Sequence, residues 1–312
     1  MTARTKFAFD ARRDWIHILW LGPLGILLAA AVVLVAITVR NTPVVQEFLA
    51  AFPGSSAVPQ GAPVGFPVWL SWNHALNVLF MLMIIRTGIL IRAGKRPDAF
   101  VTSKRPPKGG ARPRRLSITV WLHNAFDLVW VINGVVYVVL LFVSGQWLRI
   151  VPTSWDVIPN AISAALQYAS LNWPTENGWV HYNALQLLAY FVTVFVAAPL
   201  AIVTGLRMSG LWPGDRWAGA AWMNRGFPVE WARAIHFPVM LYFLLFIVAH
   251  VTLVFATGVL RNLNHMYGNR DEESWFGLIL FSVSVVVMIA VWLALRPAIV
   301  RALAGVTHKV VR

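Results

Sequence analysis

The sequence predicts an all-α membrane protein of six transmembrane helices, a four-helix core made by spans two to five with one flanking helix at each end. Three observations carry this. The 312-residue chain has a mean hydropathy of +0.66, with 58% hydrophobic and only 12% charged residues, far from the composition of a soluble domain. Six apolar runs are each long enough to cross roughly 30 Å of hydrocarbon at about 1.5 Å of rise per residue. The charges also alternate: with both termini inside, 21 of the 26 Lys and Arg residues fall on the inner side, Arg40, Arg149, Arg261 and Arg270 fall outside, and Arg86 lies within a span. That asymmetry obeys the positive-inside rule and predicts a multi-pass protein with both termini cytoplasmic.

Taken in order, residues 1–13 carry Arg4, Lys6, Arg12 and Arg13 ahead of a first span over about 15–39. Without a small-residue cleavage site after a short apolar core, this is expected to be a retained helix rather than a removable signal. Residues 41–66 are rich in Pro, Gly and Ala, and a second span follows over 68–91. Residues 92–115 hold nine Lys or Arg against the single Asp98, with enough Pro and Gly to predict an irregular loop. The third span, 118–147, leads into a Trp- and Pro-containing loop to 178. The fourth covers 179–206 and ends at a second basic connection with Arg207, Arg216, Arg225 and Arg233. The fifth is 233–258. A polar loop with His265 and the acidic run 271–273 precedes the sixth span, 275–295, and a tail bearing Arg296, Arg301, Lys309 and Arg312. The expected division is an N-terminal helix and outer loop (1–66), a core (67–258) and a C-terminal helix with a basic tail (259–312).

Absence of cysteine removes disulfides, thiolate zinc sites, cysteine-ligated clusters and covalently attached haem together. Histidine is then the chief candidate for holding a metal cofactor. A net charge of +14 is placed by topology, so the basic run at 92–115 reads as a solvated loop beside anionic lipid and no nucleic-acid partner is expected. No G-x-G-x-x-G and no Walker loop is present, so substrate chemistry is expected on another polypeptide.

The fifth span organises the rest. Its His236 and His250 are fourteen residues apart, which on a helix means one face, within about 40°, and about 21 Å of axial separation. Ionisable groups inside lipid are costly and mark function. Topology then gives each histidine a depth. His74 in span two matches the level of His250, near the outer ends, and His123 in span three matches His236, near the inner ends. Two matched pairs describe two bis-imidazole b haems stacked across the membrane, with the four histidines as iron ligands. His181 competes for a ligand role at the outer level and His17 at the inner; His265 and His308 are expected to be solvated. Asp127, four residues after His123, shares its face and could orient the imidazole or relay a proton. Arg86 could meet a haem propionate, or either residue could be a packing contact. Gly88, Gly134 and Gly205 would let a macrocycle or a neighbouring helix approach closely.

Four stretches, NHALNVLFMLMIIRTG in span two, LHNAF in span three, HYNAL with a terminal TGL in span four, and H-x13-H in span five, resemble the di-haem b-type cytochrome membrane subunits of bacterial nickel–iron hydrogenases and respiratory formate dehydrogenases. The resemblance covers about 68–258, and the extra helix at each end departs from the family pattern. It implies a four-helix core passing electrons between a peripheral metalloenzyme, iron–sulfur, molybdenum or nickel–iron, and membrane quinone in the bacterial cytoplasmic membrane. It also implies pairing of His74 with His250 and of His123 with His236, and approach of the partner's cluster to the latter pair. The expected function is the electron-transfer anchor of a respiratory oxidoreductase complex rather than its catalytic subunit, with oligomerisation through complex assembly. The alternatives are a stand-alone quinol-dependent reductase and, with no inverted repeat or broken-helix pair to support it, a proton or solute transporter. The partner is expected on the cytoplasmic face and quinone nearer His74 and His250, against the competing arrangement with the partner on the outer 148–178 loop.

Overall fold

The computed structural model describes residues 11–94, 96–104, 115–173 and 177–311, the first nine of these for backbone alone. Among them are six helices long and apolar enough to cross a membrane: Trp20–Arg40, Val68–Arg92, Ile118–Val143, Ala184–Arg216, Val229–Ala256 and Phe276–Ala294. The chain is an all-α membrane protein with six spans. Two edges differ from the sequence expectation. The third helix stops at Val143 because Gly145, at φ +74°, takes the left-handed conformation that ends helices cheaply only at glycine. The fourth starts at Ala184, after a turn over 178–180.

Two compact units form by contact. In the first, α1 (Ala11–Arg40) and α2 (Pro43–Ala51) join α5 (Val157–Ala169). Arg40 donates to Ser170 Oγ at 3.2 Å, and the Gly54 amide donates to the buried Asn160 side chain at 3.0 Å. Val157, Ala161, Ala184 and Leu187 make its small core. The segments expected as loops at 41–66 and 148–178 thus contain helices. Pro43 suits a first helical turn, where its missing amide costs nothing, and 157–169 places its apolar residues at helical spacing.

The second unit contains α3 (Val68–Arg92), α4 (Ile118–Val143), α7 (Ala198–Met208), α10 (Val229–Ala256), α12 (Phe276–Ala294) and α13 (Pro297–Thr307), with the short helices α8 (Pro213–Arg216), α9 (Trp222–Gly226) and α11 (Val259–Leu263) between them. Helices α3 and α4 run antiparallel, joined by polar rungs. Asn73 donates to the backbone and side-chain oxygens of Asn133, both at 2.9 Å, and Asn133 donates back to the Asn73 carbonyl at 3.1 Å. Trp130 donates to Asn77 at 2.8 Å. After α6 (Ala184–Val192), the fourth span passes through a π-helical turn at Thr193–Ala197 before Pro199 near the start of α7. The wider turn accommodates a proline ring that would otherwise crowd the carbonyl four residues back. Pro238 imposes the same constraint inside α10, two residues after His236.

A three-stranded antiparallel sheet in the order β2-β1-β3 lies at the basic end: β1 (Phe100–Ser103), β2 (Leu116–Ser117) and β3 (His308–Val311). It corrects the expectation of an irregular loop and plain tail; residues 105–114 lie outside the described ones. Val101, Ala99, Ile118, Val300 and Ala304 bury one face of it, and Arg301 pairs with Asp98 at its edge. Hydrophobic contact with α13 supplies what a short hairpin alone lacks.

The Asn73–Asn133 rung is buried, and interhelical hydrogen bonds in membranes are worth roughly 0.6 to 1.7 kcal/mol. Asn133→Leu should lower unfolding stability in detergent by about 1 kcal/mol, because the Asn73 amide keeps the backbone acceptor but loses the side-chain one, and the return bond to the Asn73 carbonyl goes with it. The double leucine variant should recover part of that loss; equal or greater damage in the double variant would show that the rung is not what couples these helices.

Candidate functional site

At the end away from the basic loop, His74 on α3 faces His250 on α10. Their ring centroids are 6.4 Å apart, with the planes at 58°. Two imidazole nitrogens bound to one metal at about 2 Å each, with half a ring's depth behind each, place the centroids roughly 6 Å apart. The pair therefore fits a single iron between its rings. Phe246, one turn before His250, stacks on it at 5.7 Å and 3°, while Tyr190 meets it edge-on at 6.2 Å. Tyr267 meets His74 edge-on at 6.0 Å. The His74 Nδ1 is buried with no hydrogen-bond partner, which costs free energy unless that ring has another use.

At the basic end, His123 on α4 and His236 on α10 lie close enough for a charge on one to act on the other. Each is held in the same way. Thr87 Oγ1 on α3 lies 2.8 Å from His123 Nδ1, and Thr204 Oγ1 on α7 lies 2.8 Å from His236 Nδ1. Both threonines are buried. The next residue in each case is a glycine, and a Cβ there would stand 3.5 Å (Gly88) or 3.6 Å (Gly205) from the imidazole Cε1. The ring packs against bare helix backbone. Gly134, by contrast, opens on empty space. Asp127 does follow His123 on its face, with Oδ2 3.7 Å from Nε2, too far for a hydrogen bond. Arg92 lies over the Phe237 ring at 3.6 Å, bringing the end of α3 beside His236.

Between the two levels lies an apolar layer from four helices: Met81, Ala197, Val239 and Phe243, with Trp130 packed against them. Among the described residues no three or more of His, Cys, Asp or Glu converge.

The other sequence candidates fall elsewhere. Arg86 donates to the Trp292 carbonyl at 2.8 Å and stacks on that indole at 4.3 Å, a contact in the last turn of α12, where carbonyls lack helical partners. His181 is buried in the turn before α6, its amide donating to the Asn177 carbonyl at 3.0 Å. The side chain of His17 lies outside the described residues. His265, expected to be solvated, is 4% exposed, donates through Nε2 to the Asp271 carboxylate at 2.8 Å, and packs on Trp179 and Phe66. His308 sits in β3 beside Trp121 rather than in a free tail. Thr87, Thr204, Tyr190 and Tyr267 were not singled out in the sequence; the Thr-Gly pair repeated in two spans was the available signal for the first two.

A model of the prokaryotic cytochrome b561 family matches residues 65–269, from the start of α3 to the polar loop after α10. The chain belongs to the prokaryotic cytochrome b561 family. It is a haem-bearing, multi-pass membrane electron-transfer protein. No curated protein and no solved structure matches it. As a member of this family it holds b haem, and the opposed His74 and His250 rings are one place whose geometry accepts it.

The loop that carries Tyr267 to His74 has its own electrostatics. Burial holds the His265 imidazole below its ordinary 6.5, against the pull of Asp271. Burial also works to raise Asp271, but hydrogen bonds from His265, Asn177 and Arg261 outweigh it and hold the carboxyl at about 2, from 3.8. For both groups the unfolded chain binds protons at a higher pH than the folded one, so each contributes stability above its unfolded value and loses it on acidification. The His265 share starts to go below pH 6.5 and the Asp271 share between about 4 and 2. Hydrogen exchange in 261–271, corrected for intrinsic rate, should quicken between pH 7.5 and pH 5.5; unchanged protection would refute the assignment.

Proposed function

We propose that this chain is the membrane anchor of a respiratory oxidoreductase complex in the bacterial cytoplasmic membrane, with both termini cytoplasmic, and that it passes electrons between a peripheral metalloenzyme subunit and quinone. The partner would be an iron–sulfur, molybdenum or nickel–iron enzyme of the hydrogenase or formate dehydrogenase kind. The reading rests chiefly on one observation: two pairs of histidines at two depths of one four-helix core, with an apolar layer between them.

In this reading two b haems are held, one by His74 and His250 and one by His123 and His236. Bound haem supplies a one-electron iron couple, and the chain does the rest. The histidines bind through the ring nitrogens not taken by neighbours. The threonines and Phe246 orient the rings. Met81, Val239, Phe243 and Trp130 keep water out of the space between the levels. The core, 67–258, carries these residues, and the flanking segments 1–66 and 259–312 complete the membrane part. Docking belongs on the cytoplasmic face near His123 and His236, beside the basic connections, and quinone exchange near His74 and His250.

Pyridine haemochrome analysis should give close to two b haems per chain, and a value near zero would remove the proposal. His250→Ala should abolish the haem away from the basic loop and His236→Ala the other; loss of a haem in His181→Ala with both retained in His74→Ala would reassign the first pair. For docking, cysteines at Lys104 and at Trp155, which is 89% exposed, should capture the peripheral subunit from position 104. Capture from 155 alone would defeat docking on the cytoplasmic face.

A further inference from the structure

We infer that Thr87 and Thr204 set the haem at the His123–His236 level to a lower reduction potential than the haem at the His74–His250 level, so that electrons run downhill away from the basic end. The inference rests on the two-haem reading above and goes beyond it by ordering the two centres.

Each threonine hydroxyl has a single proton to donate. Thr87 Oγ1 lies 2.8 Å from the Met83 carbonyl and 3.0 Å from that of Ile84, and Thr204 Oγ1 lies 2.6 Å from the Leu200 carbonyl. Carbonyls only accept, so each hydroxyl gives its proton to its own helix, as mid-helix threonines commonly do. The hydroxyl oxygen is then left to accept, and the 2.8 Å contact to each histidine is a hydrogen bond donated by the imidazole Nδ1–H. Two consequences follow. The tautomer is fixed with Nε2 unprotonated and free for iron. And each ring heads a chain N–H···O–H···O=C, in which successive bonds polarise one another in a dry site. Pulling on the ring N–H makes the imidazole more basic, and a more basic ligand favours the oxidised iron.

The other level lacks this device. His74 Nδ1 is buried without a partner. Among the described residues the His250 imidazole has only ring contacts, with Phe246, Tyr190 and His74. Neither ring is pulled toward imidazolate, and aromatic walls favour the less charged, reduced iron. The Asp127 carboxyl 3.7 Å from His123 acts in the same direction as the threonines whenever it is ionised. Arg92 near His236 acts oppositely, but it is exposed and so screened by solvent and salt.

The test is a potentiometric titration of the purified full-length chain with haem bound, followed in the visible spectrum. Wild type should titrate in two steps. His236→Ala should remove the lower-potential step and His250→Ala the higher. Thr87→Val and Thr204→Val should each move the lower step up and leave the higher step in place, and Thr87→Ser, which keeps the hydroxyl, should titrate like wild type. Two haems per chain with the order reversed in the histidine variants would overturn the inference, and so would two haems with the lower step unmoved in both valine variants. Should both valine variants lose haem, the order read from the histidine variants alone decides. Fewer than two haems in wild type would sink the two-haem reading first and the inference with it.

Discussion

Inside hydrocarbon a polar group has only the protein for a partner, and this constraint orders nearly everything in the second unit of this chain. Helix α10 is apolar over almost its whole length, yet it carries His236 and His250. Neither ring is left to lipid. Thr204 meets one, while Phe246, Tyr190 and His74 surround the other. The same rule explains Asn73, Asn77, Asn133 and Trp130, which satisfy each other in rungs between α3 and α4 instead of pointing outward. Arg86, a full charge within a span, ends on a carbonyl that its own helix cannot use. Each polar side chain in the membrane is therefore also a statement about which helices are neighbours and in what register.

The small residues and the helix irregularities serve those placements. Gly88 and Gly205 leave room for an imidazole to lie flat on a helix. The π-helical turn before Pro199 changes the phase of the fourth span between Tyr190 and Thr204, so that one span presents an aromatic ring to His250 and a hydroxyl to His236. At the end beyond the span, fully buried Asn264 ties 264–277 together by donating to Glu272 and Ser274 and accepting from the Gly277 amide. Gly277 packs so tightly on the backbone of Asn264 that a side chain there would clash. That loop positions Tyr267 over His74. Arg149 is anchored similarly, donating to the carbonyls of Gly65 and Gly178 at 2.6 Å.

The membrane character, the six spans and the family were all legible in the chain alone. Hydropathy and helix length are one-dimensional properties, and the lipid enforces them element by element. The facing of His74 and His250 was legible too, because depth in a bilayer is counted along each span and equal depths narrow the partners. What could not be read there depended on rotation and closure. Thr87 and Thr204 are ordinary residues in apolar runs until the azimuth of each helix aims them at an imidazole. His265 lies in a polar loop that composition marks as solvated, and only the packing of Phe66 and Trp179 buries it. The strand at 100–103 pairs with residues more than two hundred positions away, at 308–311, a contact no local pattern encodes. By itself, then, the sequence determined which segments are long and apolar enough to cross the membrane and which histidines to match along them. Only the tertiary structure decided which side chain completes each imidazole's hydrogen bonding, because that choice is made by helix rotation and neighbour identity, to which hydropathy is blind.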